Sequence, residues 1–213
     1  MLTVYTTPLS ANGRKVMALG HQLGLAPEVR LVNVYRGEGR AAEYLAINPA
    51  GKIPTLVDDG FTLHESNAIL MYLAEAHGEC RLWAREPRAR AAIARWLFWE
   101  SAHWQPALTA VLAPVVRHHL LPDVFPDPPA DPDWSHEDLA PLLIALEAEL
   151  TRRPFVAGDA LTIADLSIAG MTTYFHAAKF PFASLPAFAR WHERIEATDG
   201  WRATAVEPWK AGA

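Results

Sequence analysis

The residues with the clearest chemical capacity are a serine and an asparagine placed just ahead of a helix. The stretch Leu9-Ser10-Ala11-Asn12-Gly13-Arg14-Lys15-Val16 follows a short apolar run, Leu2 to Tyr5, that reads as a strand. It leads into residues Gly13 to Leu23, whose apolar positions Val16, Met17, Leu19, Gly20 and Leu23 recur at a helical period. A hydroxyl at such a junction lies beside unsatisfied backbone N–H groups and the positive end of the helix dipole, which together favour an anion. A thiolate is such an anion. A free thiol has a pKa of about 8.5, so little of it is ionised at neutral pH. A hydrogen bond from a hydroxyl, added to the dipole, would lower that pKa and produce a ready nucleophile. The same stretch is also what an ordinary N-cap looks like, and taken alone the cap is the simpler account.

Two further stretches could hold a ligand. In Asn48-Pro-Ala-Gly-Lys52-Ile53-Pro54-Thr-Leu-Val57, Pro54 stands at the entry of a strand. Proline removes one backbone donor and keeps the residue before it extended, so Ile53 could offer its N–H and C=O to an extended peptide as an added strand would. In Phe61-Thr-Leu-His64-Glu65-Ser66-Asn67-Ala-Ile-Leu70, Glu65 and Ser66 lie where a hairpin strand runs into a helix. Ser66 and the N–H groups around it suit a carboxylate, and Glu65 suits an ammonium. A capped helix start accounts for these residues equally well.

The elements that must position these groups follow from pattern. Val29 to Val34 reads as a second strand, and Arg40 to Ile47 as a short helix closed by Asn48-Pro49. Thr55 to Val57 and Phe61 to Leu63 flank Asp58-Asp59-Gly60 as a hairpin, and Ser66 to His77 reads as a helix ended by Gly78. The order is β-α-β-α-β-β-α, a parallel βαβ unit followed by a hairpin. Glu79 onward reads as a linker, and everything after it is helical in period. A long helix or kinked pair covers Pro87 to His119, with Pro106 and Pro114 as the bends. A loop rich in proline and aspartate covers Leu121 to Trp134. Helices follow at Ser135 to Arg152, Thr162 to Ala178 and Pro186 to Thr198. Thr162-Ile-Ala-Asp165 has the form of a capping box, with Leu161 and Leu166 at the staple spacing, and this is a folding element.

Composition excludes several classes of function. The 213 residues carry a net charge of −5 and no clustered basic face, which argues against nucleic acid. The lone cysteine, Cys80, rules out a disulfide framework or a cysteine zinc site within one chain. Residues Met1 to Ser10 lack the basic and apolar regions of a signal peptide, and the most apolar stretch, Ala91 to Val116, is too polar to span a membrane. Gly37-Glu-Gly39-Arg-Ala-Ala42 matches a dinucleotide fingerprint, but the helix behind it is too short for a Rossmann crossover. His118-His119 has no third ligand at helical spacing, so no metal is expected.

The three stretches, in their order and spacing, resemble the glutathione transferase family. NPAGKIPTL and ESNAIL are similar to two of its segments, and GDALTIADL is similar to a helix of its C-terminal domain. The resemblance implies an α/β thioredoxin-like N-terminal domain at residues 1–78, a linker at 79–86 and an all-α helical bundle domain at 87–213. It implies Ser10 as the thiol-activating residue, with Asn12 as the second candidate because a related bacterial group with T-P-N-G-H-K uses its Thr and Asn there. Ile53 would bind the cysteinyl backbone of glutathione, Glu65 and Ser66 its γ-glutamyl end, and Lys52 would sit near its carboxylates. A cis bond at Ile53–Pro54 is part of the same expectation. Tyr5 belongs to the strand and is set aside. His103, Trp104 and Tyr174 are the residues proposed for the pocket of a hydrophobic electrophile. Glutathione is then a co-substrate, no metal is needed, and the protein is a cytoplasmic homodimer that conjugates electrophiles. A glutathione-dependent disulfide reductase and a non-catalytic glutathione-binding protein are the rival readings.

Overall fold

The computed structural model describes residues 1–78 and 81–205; Cys80 and parts of the expected linker and C-terminal end lie outside them. In the N-terminal half, β1 (Leu2–Thr6) and β2 (Glu28–Leu31) run parallel, while β3 (Thr55–Asp58) is antiparallel to β1 and pairs with β4 (Phe61–His64) as the far half of a hairpin. The strand order is β2-β1-β3-β4. Central β1 places Val4 opposite Val29 and Leu56, and both Val4 and Leu56 are buried. Helices α1 (Ala11–Gln22), α2 (Ala42–Leu45) and α3 (Ser66–His77) complete the β-α-β-α-β-β-α order expected for a thioredoxin-like half.

The second half is helical: α4 (Pro87–Trp99), α5 (Gln105–Leu120), α6 (Ala140–Arg152), α7 (Ile163–Thr172), α8 (Pro186–Glu196) and α9 (Asp199–Ala203). All ten residues of α7 are buried, and it packs against α1, α3, α4, α5 and α8, so the two halves share one core across it. A helix that is apolar all round belongs in an interior. The Thr162–Asp165 capping box opens it as expected. Asp165 reaches back to the Thr162 N–H at 2.9 Å and also accepts from the Val156 N–H at 2.9 Å and Trp191 Nε1 at 3.0 Å. The carboxylate is fully buried, and burial raises its pKa while these donors oppose the rise.

Several boundaries differ from the sequence reading, each for a local reason. The second strand stops at Leu31, because the chain turns into a 3-10 segment at Val34–Arg36 capped by the Asn33 side chain. The helix read as starting at Ser135 starts at Ala140, and the one read to Ala178 ends near Thr172 in successive turns. The long helix breaks between α4 and α5 in a π-turn, Glu100–Trp104, beside Pro106; Pro114 lies within α5. Helix α9 was not foreseen. It packs so closely on α1 that a Cβ at Gly200 would lie 2.1 Å from the Ala18 carbonyl oxygen. Residues Gly37 to Ala42 form a 3-10 turn running into α2, which removes the dinucleotide reading. Among the described residues no helix is long and apolar enough to cross a membrane.

Candidate active site

Ser10 is the N-cap of α1. Its Oγ accepts the Gly13 N–H at 3.1 Å, and the residue is buried. Gly13 is required by close approach, since a Cβ there would lie 1.9 Å from Thr6 Oγ1. The cap occupies one acceptor lone pair of the hydroxyl and leaves its O–H free to donate, and among the described residues that O–H has no acceptor. Capping a helix and stabilising an anion are therefore compatible for one serine.

The turn that carries Ser10 is held from the helical half. The Tyr174 hydroxyl donates to the Leu9 carbonyl at 3.1 Å and accepts the Ala11 N–H at 3.2 Å, so it brackets Ser10 on both sides. Burial drives the Tyr174 pKa far above that of a free phenol, which keeps it a neutral donor. Tyr35, from the Val34–Arg36 turn, hydrogen-bonds it in turn, and its own phenol is raised mainly by burial.

The polar side of the cleft is a cavity of about 350 Å³ whose walls include Asn12, Lys52, Ile53, Pro54, Glu65 and Ser66. The Ile53–Pro54 bond is cis. Neither the N–H nor the C=O of Ile53 has a hydrogen-bond partner among the described residues. The loop around it is fixed from behind: Tyr44 Oη and Asn48 Nδ2 both donate to the Lys52 carbonyl, at 2.6 and 2.9 Å. The Lys52 side chain is exposed at the cleft.

Glu65 has φ 69° and ψ 109°, a left-handed conformation in which a non-glycine residue is strained. Its carboxylate has no hydrogen-bond or ion-pair partner among the described residues and lines the cavity. Ser66 opens α3, and its Oγ donates to Asn12 Oδ1 at 3.3 Å. The next residue, Asn67, anchors this corner. Its Nδ2 lies 2.9 Å from each of the Leu97 carbonyl, Glu100 Oε2 and Ser101 Oγ, which share its two N–H groups, and its Oδ1 accepts from Ser167 Oγ at 2.7 Å. Glu100 in turn pairs with Lys15 at 3.3 Å, both fully buried. Burial lowers the Lys15 pKa, and Glu100 opposes that shift. The network ties α1, α3, the π-turn and α7 together beneath Glu65 and Ser66.

A second cavity of about 590 Å³ adjoins the first and is mainly apolar, with Leu112, Val116, Phe125 and Met171 in its walls. Ser10 and Tyr174 line it, and Asn12, Gln105 and Thr109 line both cavities. Asn12 thus stands at the junction. Of the three residues expected around an electrophile, only Tyr174 lines this cavity. Trp104 is fully buried, stacks on Trp99, packs on Phe175 and Phe188, and donates Nε1 to the Ile168 carbonyl at 3.0 Å. His103 is exposed on the π-turn and lines neither cavity. The aromatic spacing of this segment reported core packing. Tyr35, Arg117 and Phe125 are cavity residues that the sequence reading missed. Phe125 comes from the proline-rich loop, which Arg36 clasps through Asp123 with bonds of 2.7 and 2.5 Å.

Residues 4–81 match the family model of the glutathione S-transferase N-terminal domain, and residues 91–194 match that of the glutathione S-transferase C-terminal domain. A delta-class glutathione transferase from Nilaparvata lugens is 26% identical at a TM-score of 0.84, over 99% of this chain and 95% of its own. A glutathione transferase from Populus trichocarpa is 26% identical at a TM-score of 0.82, over 96% and 97%. A glutathione S-transferase from Pseudomonas fluorescens is 27% identical at a TM-score of 0.78, over 93% and 96%. Both halves are matched by domains of one family, and whole members of that family follow the chain almost end to end; it belongs to the glutathione S-transferases, enzymes that use glutathione as substrate.

Proposed function

We propose that this enzyme conjugates the thiolate of glutathione to electrophilic small molecules. The observation that carries the reading is the meeting of a polar and an apolar cavity at Asn12, beside the free O–H of Ser10. In this reading the γ-glutamyl ammonium pairs with Glu65 and its carboxylate takes Ser66 and the α3 N-terminus. The cysteinyl backbone bonds Ile53, and Lys52 faces the remaining carboxylate. The sulfur then lies at the junction, where Ser10 donates to the thiolate, Asn12 positions it, and the α1 dipole adds to the effect. The electrophile occupies the apolar cavity, so catalysis comes from thiolate stabilisation and proximity. Placement in the serine- or asparagine-using bacterial group rests on the SANGRK run.

The same reading divides the chain at residues 79–86, makes it a homodimer and places it in the cytoplasm, on the resemblance to the family. Exposed Phe61 on β4 and Phe98 on α4 support a dimer as apolar surface in need of cover.

Steady-state conjugation of a generic aromatic halide tests it, with a disulfide substrate assayed alongside. Ser10→Ala should lower kcat by about 10- to 100-fold, the worth of a hydrogen bond to a charged group, with a much smaller change in KM for glutathione. Unchanged kcat would reduce Ser10 to a cap. Turnover of the disulfide alone would favour the reductase reading.

A further inference from the structure

Three groups that conjugation does not use converge where the turn after α7 meets the end of α8. His176 Nε2 lies 2.8 Å from Glu196 Oε1, and His192 Nδ1 lies 3.6 Å from Glu196 Oε2. One ligand atom from each of the three residues lies within 4.8 Å of the others. His192 and Glu196 are four apart on one face of α8, whereas His176 arrives from a different segment. The sequence spacing therefore carries no metal motif at these residues.

The neighbours of His192 fix its tautomer. Thr172 Oγ1 donates its proton to the Ala169 carbonyl at 2.8 Å, so at 3.1 Å it must accept the Nε2–H of His192. In the neutral ring Nδ1 then carries the lone pair, and that lone pair faces a carboxylate oxygen. Two acceptors face each other there, which is unfavourable unless a proton or another cation lies between them.

We propose that His176, His192 and Glu196 bind one borderline divalent metal ion of the zinc, cobalt or nickel type. Two imidazole nitrogens and one carboxylate suit such ions better than magnesium or calcium, which prefer all-oxygen sites. Bonds of about 2.0–2.2 Å place neighbouring ligand atoms of a tetrahedral centre about 3.3–3.6 Å apart. His176 lies 2.8 Å from Glu196 Oε1 and His192 3.6 Å from Glu196 Oε2, and the three ligand atoms lie within 4.8 Å of one another, so side-chain rotation must draw them together around one ion. Thr172 supplies the outer hydrogen bond that orients a metal-binding histidine. The His176 and Glu196 side chains are 29% and 35% exposed, which gives the ion a way in and water access to a fourth position.

Arg14 opposes a cation here, since Glu196 is the acid that supports its charge. Its guanidinium is held independently by the Trp201 carbonyl, Thr173 Oγ1, Thr204 Oγ1 and the Trp201 ring, so Glu196 can be shared without releasing it. None of the three proposed ligands lines either cavity of the cleft.

The test uses the full chain, stripped with a chelator, desalted and titrated with Co²⁺ in the visible, then with Zn²⁺ in competition. One ion should bind per chain with the d–d absorption of a four-coordinate nitrogen and oxygen site. Glu196→Gln and His176→Ala should each weaken binding at least about tenfold, in line with losses at metal shells, while conjugation is unchanged. A His118→Ala, His119→Ala double variant should bind as the wild type does. No binding by the folded wild type, or binding that survives both Glu196→Gln and His176→Ala, overturns the proposal.

Discussion

On the thioredoxin-like side of the cleft the key polar groups lack partners, whereas on the helical side they are already bonded. The Ile53 backbone and the Glu65 carboxylate face the polar cavity without a hydrogen-bond or ion-pair partner among the described residues. Across the cleft, Tyr174 spends its hydroxyl on the turn that holds Ser10, and the rest of the wall is mostly apolar. An unpaired group is costly to desolvate unless a ligand pairs it, so the first wall selects one ligand sharply. An apolar wall discriminates weakly, by about 1–3 kcal/mol per methylene. On the proposed function, this makes the site strict about the thiol donor and tolerant about the acceptor.

Substitutions should separate the two sides, with stability lost on one and ligand binding on the other. The largest loss is expected at Asp165, whose removal orphans the Thr162 and Val156 N–H groups and Trp191 Nε1 inside the shared core. Asp165→Ala should cost on the order of 3–5 kcal/mol in denaturant unfolding, with Asp165→Asn intermediate. A loss below about 1 kcal/mol would mean that the capping box is not what secures α7.

Acid should reveal the same investment in the helical half. His192 is held at about 4 by burial, below the usual histidine value. Between the folded and unfolded pKa values the unfolded chain binds more protons, so stability rises with pH across that window. Acidification from neutral to about pH 4 should cost on the order of 3 kcal/mol through this group. Melting curves in chelator should show it, and His192→Asn should flatten the profile.

The thioredoxin-like side should answer differently. Glu65→Gln removes an exposed charge that has no hydrogen-bond or ion-pair partner among the described residues and supports buried Lys15 less than Glu100 does, so the melting temperature should fall only slightly. The KM for glutathione should rise about 10- to 100-fold, the worth of a charged hydrogen bond. A stability loss with unchanged KM would reverse the assignment.

The parts of the site that could be read from sequence are those whose chemistry is local. Ser10 as a cap, Pro54 at a strand entry, Glu65-Ser66 at a helix start and the Thr162–Asp165 box each fall within four residues of their own turn. The parts that could not be read depend on distant segments. Tyr174 reaches the Ser10 turn across 163 residues, Lys15 finds Glu100 across 85, and His176 meets Glu196 across 20. Trp104 lies in the core and lines neither cavity, because a helical aromatic period does not say whether a face meets a cavity or the core.

The most direct measurement is the pKa of the glutathione thiol in its bound state, from thiolate absorbance against pH in the wild type, Ser10→Ala and Asn12→Ala. The wild-type value should lie well below the free value of about 8.5, and should rise towards it in Ser10→Ala with a smaller rise in Asn12→Ala. A wild-type complex that binds glutathione yet titrates near 8.5, or a lowered pKa that neither substitution changes, would contradict it.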